Sequence, residues 1–529
     1  MISDYSDPHF QSLTNLNHTI MAREDRLKNA SLRVKQNAER ASLIFLTSFT
    51  YQSLFKRYLK VAHSLGDGVY CIDTDGVEIS EAMIQQIKES VLSLIQNFKF
   101  LEEIQVEHRE LVNYFKKLGR EDKIGVIKCL GNDKIPCVRC GEYIDYVLEP
   151  MQTDLTQITT FGFRSYHGGF VIRTPTLTSP DALIEWKDPA AQLEMFEEYT
   201  KWAKLIGVDT VAKLNELIYK REIEDLKWVC EGLHQRKFAQ IAQSLVDAFP
   251  GRRVVTIAGP SSSNKTTFAK RLGIALRVKG YDSLVIEMDD YFVDREKTPI
   301  GPDGKYDFEA IGALNVDLLA ENVHKLSKGE KTLRRKYDFK SGMGIDIQSE
   351  VQQLSENSFL ILEGIHGLNP ELLNSIGADC VAPIYVAPLT PLVIDNEHRF
   401  PTTDLRLIRR IIRDQKYRGY SARKTIHRWT SVRLGEEKNI FPYQGNAIYF
   451  FNSSLVYELP VLSIYGRSLL AEATVPEEGE DLKDPMTQEI TREAKRLLGL
   501  LNLFYPISSE EVPHISCIRE FIGGSDLKY

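Results

Sequence analysis

At 529 residues the chain is too long for one ordinary hydrophobic core and implies two or three domains. Its 43% hydrophobic and 26% charged residues are those of a soluble globular protein, and a formal net charge of -7 argues against a surface that coats nucleic acid generally. Apolar runs of bilayer-spanning length, a signal-peptide pattern in residues 1–17 and a disulfide framework among the seven cysteines are all missing, so a cytoplasmic protein with no membrane partner is expected.

Residues 1–40 are polar and charged and read as an N-terminal arm, with a helical run over 21–42. Residues 41–62 read as a helix and 63–73 as a glycine-containing turn into a strand. An amphipathic helix is predicted over 80–98, with Met83, Ile84, Ile87, Val91, Leu94 and Ile95 as its apolar residues. A strand-to-helix passage follows at 106–118. From 135 to 173 short strands alternate with turns and end at Gly168-Gly169, so residues 41–185 predict an α+β domain. Residues 186–248 are strongly helical and read as a connector. Beyond Arg252 short, nearly continuous apolar runs recur at 254–258, 284–288, 359–362, 384–386 and 461–464, with helical segments between them. That is the pattern of a parallel sheet covered on both faces by helices, and it predicts an α/β domain over 249–470. Residues 471–529 read as a C-terminal helical tail.

The strand at 254–258 runs into Gly259-Pro260-Ser261-Ser262-Ser263-Asn264-Lys265-Thr266-Thr267 and then a helix. This is the setting of a phosphate-binding P-loop, in which backbone N–H groups and a helix N-terminus meet an anion, Lys neutralises it and Ser/Thr holds Mg²⁺. Asn264 stands where a second Gly is usual, and Asn tolerates left-handed backbone angles. Asp289 and Asp290 follow the second apolar run and Glu363 closes the third, at strand ends where ligands bind in open α/β sheets. A carboxylate at 363 suits a Mg²⁺ site, and one at 289 suits a base. From Thr402-Thr403-Asp404, read as a helix start, Leu405, Ile408 and Ile412 mark one face. Arg406, Arg409, Arg410 and Arg413 mark the other, as in a basic lid over phosphates.

Residues from about 252 to 465 resemble the uridine kinase/phosphoribulokinase family of P-loop kinases. The likeness rests on the P-loop, Met288-Asp289-Asp290-Tyr291-Phe292, Tyr306-Asp307-Phe308-Glu309, Tyr337-Asp338-Phe339, Glu363-Gly364-Ile365-His366-Gly367-Leu368-Asn369-Pro370 and Arg406 through Gly419. The resemblance implies ATP and Mg²⁺ as cofactors and transfer of the γ-phosphoryl to the 5′-hydroxyl of a nucleoside, uridine or cytidine. It makes Asp289 the base, places Lys265, Arg409 and Arg413 among the catalytic groups, and puts Arg410 and Arg418 over the substrate. It also assigns Asp307 to the ribose, Tyr337 and Phe339 to the base pocket, and Thr266 and Glu363 to the metal.

Residues 41–185 resemble the second additional domain of threonyl- and alanyl-tRNA synthetases, through the segments 63–70 and 139–143. The metal-binding set of that module is missing, because no His-x3-His lies near Ser42–Leu46 and no His closely follows Cys140. Cys137-x2-Cys140, with Cys129 nearby, is a single pair that does not predict zinc. A non-editing module is expected, with substrate gating, RNA contact or self-association as its roles. Two alternatives stay open: an RNA- or tRNA-associated regulatory protein that senses ATP, and a kinase of another small alcohol such as a sugar phosphate.

Overall fold

Alternating apolar residues in the first half of the chain build antiparallel sheets, and the continuous apolar runs of the second half build a parallel one. The computed structural model describes residues 8–301, 304, 306–390 and 392–528. Helix α1 (Pro8–Phe55) leads into β1 (Leu59–Leu65), β2 (Gly68–Asp73), α2 (Glu81–Phe98), β3 (Glu102–Glu107), α3 (His108–Lys117) and α4 (Glu121–Ile127). Then come β4 (Lys134–Cys140), β5 (Tyr143–Tyr146), β6 (Gly162–Tyr166) and β7 (Gly169–Arg173). They form a four-stranded sheet of order β1-β2-β7-β6 and a three-stranded sheet of order β3-β4-β5, both antiparallel. Ser80 caps α2 by accepting from the Met83 amide at 3.3 Å, and Ile84, Ile87 and Val91 are buried beneath it.

The division placed at residue 40 falls inside α1, and residues 1–7 of the expected arm lie outside the described residues. The helix expected over 41–62 stops at Phe55. Lys56 there takes a left-handed φ of 55°, and Leu59 to Val61 pair with β2 instead. Cys137 and Cys140 sit three apart on one strand and pack into two different apolar cores, so this pair cannot converge on one ion.

Three helices follow, α5 (Ala190–Leu205), α6 (Val211–Lys220) and α7 (Ile223–Asp247). The third is more than a connector: Phe238, Ile241 and Leu245 share an apolar cluster with Val255, Phe268, Phe359 and Ile384 of the parallel-sheet domain. That domain comprises β8 (Val254–Ala258), α8 (Lys265–Val278), β9 (Asp282–Glu287), α9 (Val316–Ser327), the hairpin β10 (Thr332–Asp338) and β11 (Met343–Gln352), and β12 (Ser358–Glu363). It continues through α10 (Pro370–Ile376), β13 (Val381–Ala387), α11 (Thr402–Arg418), α12 (Ala422–Asn439), β14 (Tyr449–Asn452) and α13 (Glu458–Ala473). Helices α14 (Pro485–Leu501) and α15 (Arg519–Ile522) complete the described elements.

The parallel sheet has the order β14-β13-β8-β12-β9. Every residue of β8, β12 and β13 is buried, which is why their sequences read as nearly continuous apolar runs. The fifth run, 461–464, is not a strand but lies within α13, and the fifth strand is the aromatic β14. A short apolar run has no periodicity to separate a buried helix turn from a buried strand.

Residues 471–529 are likewise no tail. Leu497, Phe504, Ile507, Ile518 and Phe521 are buried in one continuous core with Ile408 and Ile411 of α11 and with Leu111, Phe115 and Ile124 of the first domain. A buried ionic joint reinforces the same junction. Arg120, just before α4, donates to Glu397 at 2.7 Å, and Lys123 lies 2.8 Å from Asp145 and 3.1 Å from Glu397. Asp122, Asp395 and Glu397 stand close enough to share a cation, a place taken by these two basic side chains. Among the described residues no helix is long and apolar enough to cross a membrane.

Candidate active site

The loop after β8 is shaped by close approach and by two left-handed residues. A Cβ at Gly259 would stand 2.0 Å from the Val386 carbonyl oxygen, so only glycine lets the chain leave the strand here. Ser262 and Asn264 have φ values of 61° and 69°, and α8 begins at the next residue, Lys265. Asn264 does adopt the left-handed geometry that glycine usually supplies. The loop is gripped from α11 and α12: Ser261 N donates to Glu436 at 2.9 Å, Arg406 donates to Ser261 O at 2.9 Å, and Arg409 donates to Ser262 O at 3.1 Å. Arg410 adds a bond to Ser261 Oγ at 2.7 Å. Lys265 Nζ folds back toward Pro260 O at 3.4 Å.

Carboxylates crowd the sheet edge beside this loop. Asp289 stands in the 3-10 turn after β9, open to the cleft, while its neighbour Asp290 accepts from the Tyr337 amide at 3.2 Å and organises the hairpin. Although its side chain stays exposed, the protein packed around it raises the pKa of Asp289 above the usual carboxylate value by desolvation; Lys265 and Arg418 oppose that rise, and Glu287 and Asp290 add to it. Glu363, the last residue of β12, lies in register with Ile257 of β8 and Glu287 of β9. Burial pushes it up to about 7, opposed by Lys265 and reinforced by Asp289, Glu287 and Glu520. Glu309 is also pushed to about 7, first by burial and then by Glu436, with Arg410 opposing.

Such crowding fits a hard divalent cation. Thr266 and Glu363 offer the oxygen donors that Mg²⁺ prefers, and a bound cation would favour the ionised carboxylates that burial disfavours. The sign of the pH effect follows. Between the ordinary value of 4.5 and about 7 the folded state keeps a proton at Glu363 that the unfolded chain has released. Stability from this group therefore falls as pH rises across that window and is level above it. The rise in Tm on adding Mg²⁺ and ATP is expected to be larger at pH 8 than at pH 6, and Glu363→Gln is expected to remove that difference in thermal unfolding scans.

The arginine helix is split by its packing. Arg406 and Arg409 are 1% and 0% exposed. Arg406 pairs with Glu436 and lies over the Trp429 ring. Arg409 pairs bidentately with Glu458 and bonds Asn264 Oδ1 at 2.7 Å and Ser453. These two were expected on an outer basic face over the phosphates; they brace the loop from beneath, because carboxylates on α12 and α13 draw them into the core. Arg410, Arg413 and Arg418 instead gather around the buried Asp414, at 3.3, 3.0 and 3.3 Å, with Arg410 reaching the field of Glu309 and Arg418 that of Asp289. The helix starts after Pro401 without a side-chain cap, and Asp404, expected in the capping signal, accepts from Arg496 at 2.6 Å.

Tyr337 and Phe339 stand on the β10 side of the hairpin, 5.0 Å apart edge to face, with Phe292 5.6 Å from Tyr337. Tyr337 is 2% exposed and its hydroxyl has no partner, whereas Phe339 is 58% exposed. Asp307 accepts from the Glu309 amide at 3.1 Å and so shapes the turn. Glu309, two residues on, feels the charges of Arg410, Asp289 and Lys265, and it packs on Gly435, where a Cβ would come within 2.8 Å of it. Sequence reasoning passed over Glu309, since a loop has no periodicity to tell which of two nearby carboxylates turns inward. It also passed over His366, buried beside the Ala310 backbone and held neutral by burial with a pKa of about 4.

An open parallel sheet with a P-loop at the end of its central strand and carboxylates closing the two strands beyond it defines a P-loop phosphotransferase-type domain. Residues 254–452 match the model of the Phosphoribulokinase / Uridine kinase family. A uridine kinase of Anoxybacillus flavithermus is 30% identical over 179 residues, covering 34% of this chain and 75% of that protein. A uridine kinase of Halalkalibacterium halodurans is 27% identical with the same coverage. Among solved structures, a possible uridine kinase from Bacillus stearothermophilus aligns with 18% identity and a TM-score of 0.29, over 41% of this chain and 98% of its own. D-glycerate 3-kinase from Cryptococcus neoformans aligns with 14% identity and a TM-score of 0.23, over 53% and 89%. The chain belongs to the phosphoribulokinase/uridine kinase family.

Proposed function

We propose that the chain is an ATP-dependent kinase that transfers the γ-phosphoryl group to the 5′-hydroxyl of a nucleoside, uridine or cytidine before others. The observation that carries this reading is the placement of Lys265, Asp289 and Glu363 at the carboxyl ends of adjacent parallel strands, with Arg418 of α11 close enough to act electrostatically on Asp289. The names of the uridine kinases it resembles support the acceptor class.

In this reading the loop 259–267 cradles the ATP phosphates, with Lys265 neutralising them. Mg²⁺, held by Thr266 and Glu363, would neutralise charge between the phosphates. Asp289 accepts the proton of the acceptor hydroxyl as its oxygen attacks phosphorus, and a raised pKa brings its basicity closer to the working pH. Arg410, Arg413 and Arg418, oriented by Asp414, take up the charge of the moving phosphoryl group. Glu309, which Asp307 positions, accepts hydrogen bonds from a cis-diol, and the exposed Phe339 offers ring surface to a flat base, with the buried Tyr337 packed edge to face behind it.

The first domain, 41–185, is read as a synthetase-like module without the editing chemistry, its cysteines protonated in apolar surroundings with Cys137 and Cys140 pushed to about 12 and 11. RNA contact or self-association through it, and a cytoplasmic location where ATP and nucleosides are met, belong to the same proposal. The decisive test is ADP release with Mg²⁺ and ATP against a panel of nucleosides and sugar phosphates. Stimulation by pyrimidine ribonucleosides is expected; no stimulation by any nucleoside overturns the reading.

A further inference from the structure

Asn264 is where the loop departs from the usual pattern, and its side chain is tied to a part of the chain beyond the family match at 254–452. Its amide nitrogen donates to Cys517 O at 2.9 Å and to Glu520 at 3.0 Å, while its amide oxygen accepts from Arg409 at 2.7 Å. The Glu520 carboxylate also accepts from Thr267 Oγ1, so one anion spans the left-handed residue and the first turn of α8. Residues 516–522 are in turn fixed firmly. Cys517, Ile518 and Phe521 are fully buried, the Phe521 ring lies 4.8 Å from the Arg409 guanidinium, and Lys416 of α11 donates to Ile522 O. Arg519 holds Ser509 O at 2.9 Å and Gly523 O at 3.2 Å.

A glycine at 264 would reach the same φ with less strain, so a side chain here must have another use. What it adds is direction. A planar amide held on three sides fixes the orientation of its own peptide plane and, through it, of the amides that open α8. A negative charge beside the first turn is also favoured by the helix dipole. Glu520 makes its hydrogen bonds to side chains, not to loop amides, and its charge reaches Glu363 across the same turn.

We propose that Glu520, acting through Asn264 and Thr267, is a positioning residue for the phosphates of ATP. The 516–522 segment is thus a built-in brace of the nucleotide site, an inference that rests on reading the loop as the ATP site. Arg409 and Glu520 grip the Asn264 amide from opposite ends, which replaces the conformational freedom of glycine with an enforced geometry.

The test compares Asn264→Gly, Glu520→Ala, Glu520→Gln and the Asn264→Gly/Glu520→Ala double variant in the full chain, by calorimetric Kd for Mg²⁺·ATP and by separate KM values for ATP and acceptor. Glu520→Ala and Asn264→Gly are each expected to weaken ATP binding about tenfold, the size of one lost charge-assisted hydrogen bond, while the acceptor KM stays close to that of the parent. The double variant should be no weaker than the worse single one, and Glu520→Gln should recover most of the loss because its amide oxygen still accepts. Multiplying single effects, a parallel rise in both KM values, or a glutamine variant as weak as alanine would each overturn the brace. A parent chain that binds Mg²⁺·ATP but whose variants bind equally well overturns the brace alone; one that binds no nucleotide overturns the ATP reading with it.

Discussion

Asp289→Asn lowers kcat by about 10²- to 10⁴-fold and leaves the Kd for ATP near that of the parent, the effect of removing a general base from a formed site. Asn keeps the size and hydrogen-bonding reach of the side chain but cannot take up the hydroxyl proton. The residue stands in a short turn whose other members, Met288 and Tyr291, are buried, and Asp290 rather than Asp289 holds the Tyr337 amide. The substitution therefore acts on chemistry and not on the turn. Turnover by stopped-flow ADP release and binding by calorimetry separate the two quantities. Weak ATP binding with unchanged kcat would remove Asp289 from the base role.

Arg409→Met destabilises the protein by about 3–5 kcal/mol, the usual result of stranding one partner of a buried ion pair. Arg409 is wholly buried, bidentate to Glu458, and bonded to Ser262 O, Asn264 and Ser453. Methionine fills some of the volume but leaves the Glu458 carboxylate without its cation. Pairing it with Glu458→Leu is expected to recover much of the stability, since the unpaired charge is then gone. Urea unfolding gives both numbers. A variant as stable as the parent with turnover abolished would return Arg409 to the phosphoryl group itself.

These two expectations mark where sequence pattern stops being informative. The phosphate loop, the strands at 254–258 and 359–362, and the carboxylates that close strands at the sheet edge are local facts. A strand buried on both faces is apolar along most of its length, a loop that hugs a carbonyl must begin with glycine, and a polar residue closing such a strand is presented at the ligand end of the sheet. The same holds for α2, whose apolar stripe is contained in its own eighteen residues and whose cap is the residue just before them.

The arginine helix shows the other side. Arg406, Arg409, Arg410 and Arg413 look alike in sequence, and only Glu436 and Glu458, brought from later helices, decide that the first two are buried struts. Asp414 then leaves Arg410, Arg413 and Arg418 near the cleft. The resemblance put Asp307 at the ribose, and only the folded turn shows Glu309 beside it, feeling the charges of Arg410 and Asp289.

By itself, then, the sequence determined the phosphate loop, the α/β pattern and the family, because each is carried by near neighbours whose spacing imposes the geometry. The tertiary structure decided which charges are buried, which of the arginines stay near the cleft, and that residues 517 and 520 bond the loop at Asn264 and Thr267. Burying a charge depends on a partner, and the partners of Arg406, Arg409 and Arg120 lie 30, 49 and 277 residues away along the chain.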